Sequence, residues 1–307
     1  MYKILLIIVL ISCSKNNYQQ LRVLESYSLP IREISGMSWR VDPKNSKKQI
    51  AIIGDHDNYV YLLDWESRKD GLDLKKIDLQ KLSSEKLEGG WESIASDATG
   101  RLFLLQEEPS RIIVLNKELN KIIHNIELVI TDHLKDSLQW GVKKNSAAEG
   151  ITLLKNGHIL ITKEKKPFRL VEFTNRKNQA LGYNKKLSLE NKGVFPLSSK
   201  SKKLKLYSNY FWKLKLDDEE KLKDVSGINI DNNNEVYLLS DKSHVISHLG
   251  DTLSVDKDTL ELKKVYALPD EFDKAEGMVI DLKKRAIIGV DKKATDKKNI
   301  FLLSPFI

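Results

Sequence analysis

Cysteine is almost absent. Cys13 is the single one in 307 residues, so no intramolecular disulfide can staple this fold, even in a compartment that would permit one. The sequence also lacks the common catalytic signatures: no H-E-x-x-H, G-x-S-x-G or P-loop pattern occurs. Histidine offers no metal pair either. His244 and His248 would stand about 13 Å apart on a strand, and the histidines at 56, 124, 133 and 158 fall singly at turns or strand edges. His56 alone follows an acidic residue of interest, Asp55. Nor is there a block of one charge. The 51 basic residues are interleaved with 43 acidic ones, and the only dense basic run is Lys200 to Lys205. A nucleic-acid binder gathers its cations on one face among stacking aromatics, so nucleic acid is not expected as a partner. An attraction to anionic lipid or polysaccharide remains open.

The apolar run Ile4 to Ile11 is too short to span a bilayer. Behind the basic start Met1-Tyr2-Lys3 it suits a secretory signal, and Leu10-Ile11-Ser12-Cys13 resembles the lipobox of bacterial lipoproteins. The expectation is a signal peptide over residues 1–12, lipidation of Cys13 (a diacylglyceryl plus a palmitate-type N-acyl chain), a tether over 13–20 and one folded domain over 21–307. Cleavage removes Lys3 and takes the formal charge from +8 to +7. The predicted location is the cell envelope: a membrane-anchored lipoprotein, placed by Ser14 in the outer membrane and facing the periplasm.

What the sequence has in abundance is repetition. The stretch Ala148 to Phe173, AEGITLLKNGHILITKEKKPFRLVEF, holds two apolar strands around Asn156-Gly157, then Glu164 and a third strand. Asn-Gly between apolar runs is a hairpin signal, and it predicts Glu149 and Glu164 roughly opposite each other. The unit recurs from EISGMSW, WESIAS, VSGINI and AEGMVI. Glu92 to Glu107, Glu149 to Glu164, Ser226 to Asp241 and Glu276 to Asp291 are each fifteen residues apart, and Ser35 to Asp55 is twenty because a polar turn is inserted.

Each repeat has three clear strands. Leu72–Leu79, Lys121–Leu128 and Leu260–Leu268 are candidates for a fourth, and Tyr207 to Trp212 is either a fourth strand or a lip over the channel. LELKKVYALPDEFDKAEG, from Leu260, matches LRVLESYSLPIREISG, from Leu21, so the N-terminal strand reads as the fourth strand of a blade completed by the C-terminus. The predicted fold is an all-β propeller of five four-stranded blades closed by the N-terminal strand, with six blades as the alternative.

The ordered series S-G, W-E-S, A-E-G, V-S-G and A-E-G, with Lys163-Glu164-Lys165-Lys166-Pro167 in the third repeat, resembles the SdiA-regulated (YjiK-like) family of bacterial β-propeller proteins over Glu33–Ser304. The resemblance implies a secreted or membrane-attached propeller, and some members are associated with calcium and with phytase-like propellers.

In a propeller the first strand of each blade lines the channel, so the repeat predicts two acidic columns around one mouth. The second is Asp55, Glu107, Glu164, Asp241 and Asp291; the first is Glu92, Glu149 and Glu276, with Ser35 and Ser226 in the other two repeats, each having an acid two residues earlier, Glu33 and Asp224. Carboxylates crowded in this way lift one another's pKa values or bind a cation, and hard oxygen ligands suit Ca²⁺ better than zinc. Acids at strand ends also accept backbone N–H bonds from the next blade, which would be structural. Asp231 to Glu235 lacks the glycine and final glutamate of an EF-hand and reads as a turn. Trp91 and Trp140 are candidate walls of the mouth, and Lys163, Lys165, Lys242 and Lys292 flank the second column, with Trp91, Lys163 and Lys165 the candidate ligand-binding residues. Two functions fit. One is a monomeric, lipid-anchored protein that binds a small ligand, polysaccharide or protein partner at a calcium-loaded mouth without chemistry. The other is a calcium-dependent phosphoesterase.

Overall fold

A computed structural model describes residues 18–69, 72–142, 146–175, 180–189, 193–197, 201–215, 222–293 and 297–306. The expected signal peptide over 1–12, Cys13 and residues 14–17 of the expected tether lie outside the described residues.

The central strands are apolar at successive positions because both of their faces are covered. Ile50, Ala51, Ile52 and Ile53 are all fully buried. Successive side chains point to opposite faces. Ile50 and Ile52 therefore pack with Val279, Ile287 and Leu302, while Ala51 and Ile53 pack with Ile94 and Leu104. The same division holds all round the molecule, and five hydrophobic clusters lie between five pairs of neighbouring sheets.

Those sheets are the blades. From inside outwards, blade one is Ile34–Val41, Lys48–Gly54, Tyr59–Leu63 and Leu74–Asp78, and blade two is Trp91–Ser96, Leu102–Gln106, Arg111–Leu115 and Ile122–Val129. Blade three is Ala148–Leu153, Ile159–Lys163, Arg169–Thr174 and Lys203–Lys215. Blade four is Gly227–Ile230, Val236–Ser240, Val245–Gly250 and Lys264–Ala267. Blade five is Ala275–Ile280, Arg285–Val290 and Ile300–Pro305, completed by Val23–Tyr27 from the N-terminus. The innermost strands neighbour one another in sequence order, and blade five returns to blade one. The ring has five blades, not six. Among the described residues no helix is long and apolar enough to cross a membrane.

Closure follows the expected antiparallel pairing, with Val23 opposite Leu303 and Tyr27 opposite Ile300. Asn299 clasps the segment that follows: its side chain accepts from Leu29 N–H at 2.8 Å and donates to the carbonyls of Leu29 at 3.0 Å and Ile31 at 2.9 Å. Gln19–Gln20, within the stretch expected to be a tether, pairs in parallel with Tyr266 and Ala267 of blade four.

The aromatic stretch Tyr207 to Trp212 is resolved as part of blade three's outer strand. That strand is thirteen residues long; its first half runs parallel to blade two's outer strand, Asn125 opposite Lys203, while its second half pairs antiparallel with Arg169–Thr174. It therefore joins the rims of two blades.

The hairpin of blade three differs by one residue from the prediction. Leu154 N–H donates to His158 O and only Gly157 takes positive φ, +83°, so the loop has three residues rather than two. Ala148 then pairs with Lys163, and Glu149 and Glu164 are not cross-strand partners.

Candidate functional site

The repeated glycine is a packing requirement. A Cβ on Gly36 would lie 2.7 Å from Ser93 Cα of the next innermost strand, and one on Gly150 would lie 2.9 Å from Ile228 N. Adjacent innermost strands approach too closely there for any side chain. The residue just before the glycine, or before Ser93 in blade two, sits at a break in register. The pairing skips Ser35, Glu92, Glu149 and Glu276 in blades one, two, three and five. Such bulges re-aim a side chain, and these aim the first column at the axis. Glu33, Gly90 and Lys274, each two residues earlier, have φ of 49°, 68° and 57°.

The result is a cup of about 260 Å³ at one end of the channel, lined by Asp55, Glu92, Glu149, Glu164, Asp224, Asp241, Glu276 and Asp291 with Lys165, Lys242, Lys274 and Ser226. Eight of the ten predicted carboxylates line it. Of the other two, Glu33 lies on the rim between His56 and Lys293, 3.7 Å from each, and Glu107 turns away to accept from Ala147 N–H at 2.8 Å. Below the cup the channel narrows to about 30 Å³ beside Ser38, Ser96, Thr152 and Asn229.

The second column is largely engaged. Asp241 accepts from Ala275 N–H at 2.9 Å, Asp291 from Lys274 Nζ at 2.6 Å and Glu164 from Lys242 Nζ at 3.2 Å. Asp224, two residues before the first column in blade four, is engaged as well, accepting from Ser240 Oγ at 2.5 Å and from Lys242 N–H. Asp55 lies 3.1 Å from His56, whose ring is exposed. The first column differs. Among the described residues no hydrogen bond or ion pair reaches the carboxylates of Glu92, Glu149 or Glu276, and Glu149 is only 9% exposed. Burial pushes Glu92 and Glu149 well above the ordinary carboxylate range, and neighbouring carboxylates add to it. Glu276 is pushed up to about 8 by burial and then by Asp291, against an opposing pull from Lys274. Burial also raises Asp55, Glu107 and Asp241.

Two of the three residues predicted to bind ligand are elsewhere. Trp91 is fully buried between blades one and two and donates to Asn58 Oδ1 at 3.0 Å, since alternation sends it away from Glu92. Lys163 is fully enclosed, its ammonium donating to Lys165 O at 2.7 Å, and burial lowers its pKa to about 8. Lys165 does line the cup. Trp140 packs edge-on against Phe173 at 5.6 Å and Lys292 lies 5.6 Å from the Phe301 ring, so neither forms a wall. Sequence reading missed Lys274, whose signal was its place two residues before the first column, where Glu33 and Asp224 stand in blades one and four. Asp231 to Glu235 is a turn, its Oδ1 accepting from Asn233 and Glu235 N–H groups.

Residues 22–288 match the model of the SdiA-regulated family. The chain belongs to the SdiA-regulated family. No curated protein matches it in sequence. Among solved structures, this family member is similar to a streptogramin B lyase (13% identity, 92% of this chain and 97% of that one, TM-score 0.49). It is also similar to virginiamycin B lyase from Staphylococcus aureus (14% identity, 94% and 100%, TM-score 0.48) and to a gluconolactonase from Xanthomonas campestris (9% identity, 92% and 88%, TM-score 0.45). Likenesses this distant do not bear on the chemistry of the present chain.

Proposed function

We propose that this chain is a lipid-anchored, extracytoplasmic binding protein that holds a cation, Ca²⁺, at its acidic mouth and uses it to engage a ligand or partner without chemistry of its own. The observation that carries this reading is the set of three carboxylates, Glu92, Glu149 and Glu276, which line the cup with no hydrogen-bond or ion-pair partner among the described residues. Carboxylates crowded around one narrow cup repel one another unless a proton or a cation offsets their charge. The donors are hard oxygens of the kind Ca²⁺ takes. Among the described residues no three acidic or histidine side chains converge on one metal position, so water has to complete the ion's coordination.

A phosphoesterase needs cations free to hold phosphate. Two candidates at the mouth are already committed, Lys242 to Glu164 and Lys274 to Asp291, which favours binding over hydrolysis. The test is a Ca²⁺ titration followed by thermal unfolding. Binding to the folded state alone stabilises it by about 2.7 kcal/mol at a hundredfold excess over Kd. Mg²⁺ should do less, because it dehydrates reluctantly. A melting temperature indifferent to millimolar Ca²⁺ would remove the calcium from this reading, and turnover of phosphomonoesters with Ca²⁺ would replace binding by catalysis.

A further inference from the structure

The chain enters the ring at a fixed place, beside the end of blade five that is remote from the mouth. Gln19 donates its side-chain N–H to Pro305 O at 3.2 Å. Arg22 and Ser304 exchange two bonds, Arg22 N–H to Ser304 Oγ at 3.1 Å and Ser304 N–H to Arg22 O at 2.8 Å. Pro305 stands opposite Arg285, and Phe306 N–H donates to Lys284 O at 2.9 Å. These contacts seat the entering chain next to the turn from Asp281 to Lys284. That turn follows Ala275–Ile280, whose start carries Glu276 into the cup, so turn and mouth lie at opposite ends of the channel.

This corner is both apolar and basic. Five large apolar side chains are exposed among the described residues, and two of them are here, Leu24 at 49% and Leu282 at 74%. Leu282 is the most exposed of the five and lies within the turn. Arg22 and Lys283 are exposed, and among the described residues neither has an acidic partner. Asp281, Glu235 and Glu25 do not cancel them, being held by Arg285, Lys284 and Arg68 at 2.6, 3.8 and 2.8 Å. Between Cys13 and Tyr18 the sequence adds one charged residue, Lys15, of the same sign.

We propose that this corner docks on a bilayer surface containing anionic phospholipid. Leu282 enters the headgroup layer, Arg22 and Lys283 meet the phosphates, and the acidic mouth points away from the membrane. The inference rests on the lipid anchor at Cys13. Even fully extended, the chain from Cys13 to Tyr18 reaches at most about 18 Å, so an anchored protein keeps this corner near the bilayer. An apolar tip flanked by cations is what an anionic surface attracts, and the same surface repels the carboxylates of the cup.

The lipidated protein, reconstituted into vesicles whose acyl chains carry bromine, tests this with Leu282→Trp as the probe and the parent as the background. In vesicles containing phosphatidylglycerol the introduced tryptophan should emit to the blue and be quenched, and about 0.5 M salt should reverse both effects. Adding Arg22→Gln and Lys283→Gln, both at exposed positions, should lower the ratio of docked to free protein about fivefold for each charge removed. Phosphatidylcholine vesicles should carry the protein without the quenching. The proposal is overturned if protein floating with phosphatidylglycerol vesicles is not quenched, if phosphatidylcholine quenches it equally, or if removing both charges leaves docking unchanged. Failure to float with phosphatidylcholine vesicles refutes the anchor and this orientation with it, whereas flotation without quenching refutes the orientation alone.

Discussion

Glu107, at the end of the second strand of blade two, accepts a hydrogen bond from the backbone N–H of Ala147 at the start of blade three, 2.8 Å away. Asp241 repeats the contact to Ala275 of blade five at 2.9 Å. In these two blades the second acidic column fastens one blade to the next, whereas among the described residues no hydrogen bond or ion pair reaches the first-column carboxylates of Glu92, Glu149 and Glu276. The two columns should therefore respond oppositely to substitution.

Glu107→Ala leaves the Ala147 N–H without its acceptor in a buried place, and should cost about 1–3 kcal/mol in urea unfolding while leaving the Ca²⁺ response intact. Glu149→Gln should instead stabilise the chelated protein at neutral pH, because the amide needs no ionisation, and should blunt the response to Ca²⁺. If Glu149→Gln only loses stability and keeps the full response, the first column is structural.

The raised carboxylates set a pH dependence. Glu276 ionises at about 8 in the folded chain against an ordinary 4.5, so the folded state holds a proton that the unfolded state releases across that interval. Its contribution is full below 4.5 and is lost as pH rises through about 8, with Asp291, Asp241 and Asp55 repelling the ionised form and Lys274 favouring it. Glu92 and Glu149 act in the same direction. The melting temperature of the chelated protein should fall from about pH 5 to about pH 8.5, and Glu276→Gln should flatten the fall. Ca²⁺ should stabilise more at the alkaline end, since it displaces protons from its ligands. A rise across the interval in the chelated parent would contradict proton storage at the mouth.

Ring closure depends on the N-terminal strand and its clasp. Asn299→Ala removes three side-chain hydrogen bonds at a fully buried position and should destabilise by about 3 kcal/mol or more. Deleting residues 20–30 exposes the edge of Ile300–Pro305 and should cause oligomerisation or loss of cooperative unfolding. A monomeric deletion variant with an unchanged melting curve would show that the strand is dispensable.

The lipid anchor is tested by fractionation. Cys13→Ala should move the protein from membrane to soluble fractions, since two or more acyl chains are what make attachment stable. Unchanged membrane association would discard the anchor.

Strands, repeat number, closure and the acidic columns were legible in the sequence, because each is written locally. Apolar runs, a fifteen-residue interval and a leftover strand resembling another all survive without knowledge of neighbours. The partners of each side chain were not legible. Trp91 and Lys163 stand beside acidic residues in the chain, yet alternation turns them into the interfaces between blades, where both are fully buried. A three-residue loop and a bulge displaced Glu149 from Glu164, a shift of one residue that composition does not record. Whether a carboxylate is satisfied, as Glu107 is by Ala147, or open, as Glu149 is, depends on a backbone forty residues away or on none. Period and polarity are properties of a segment, whereas burial and hydrogen-bond satisfaction belong to the ring, because each face of a blade is completed only by its neighbour.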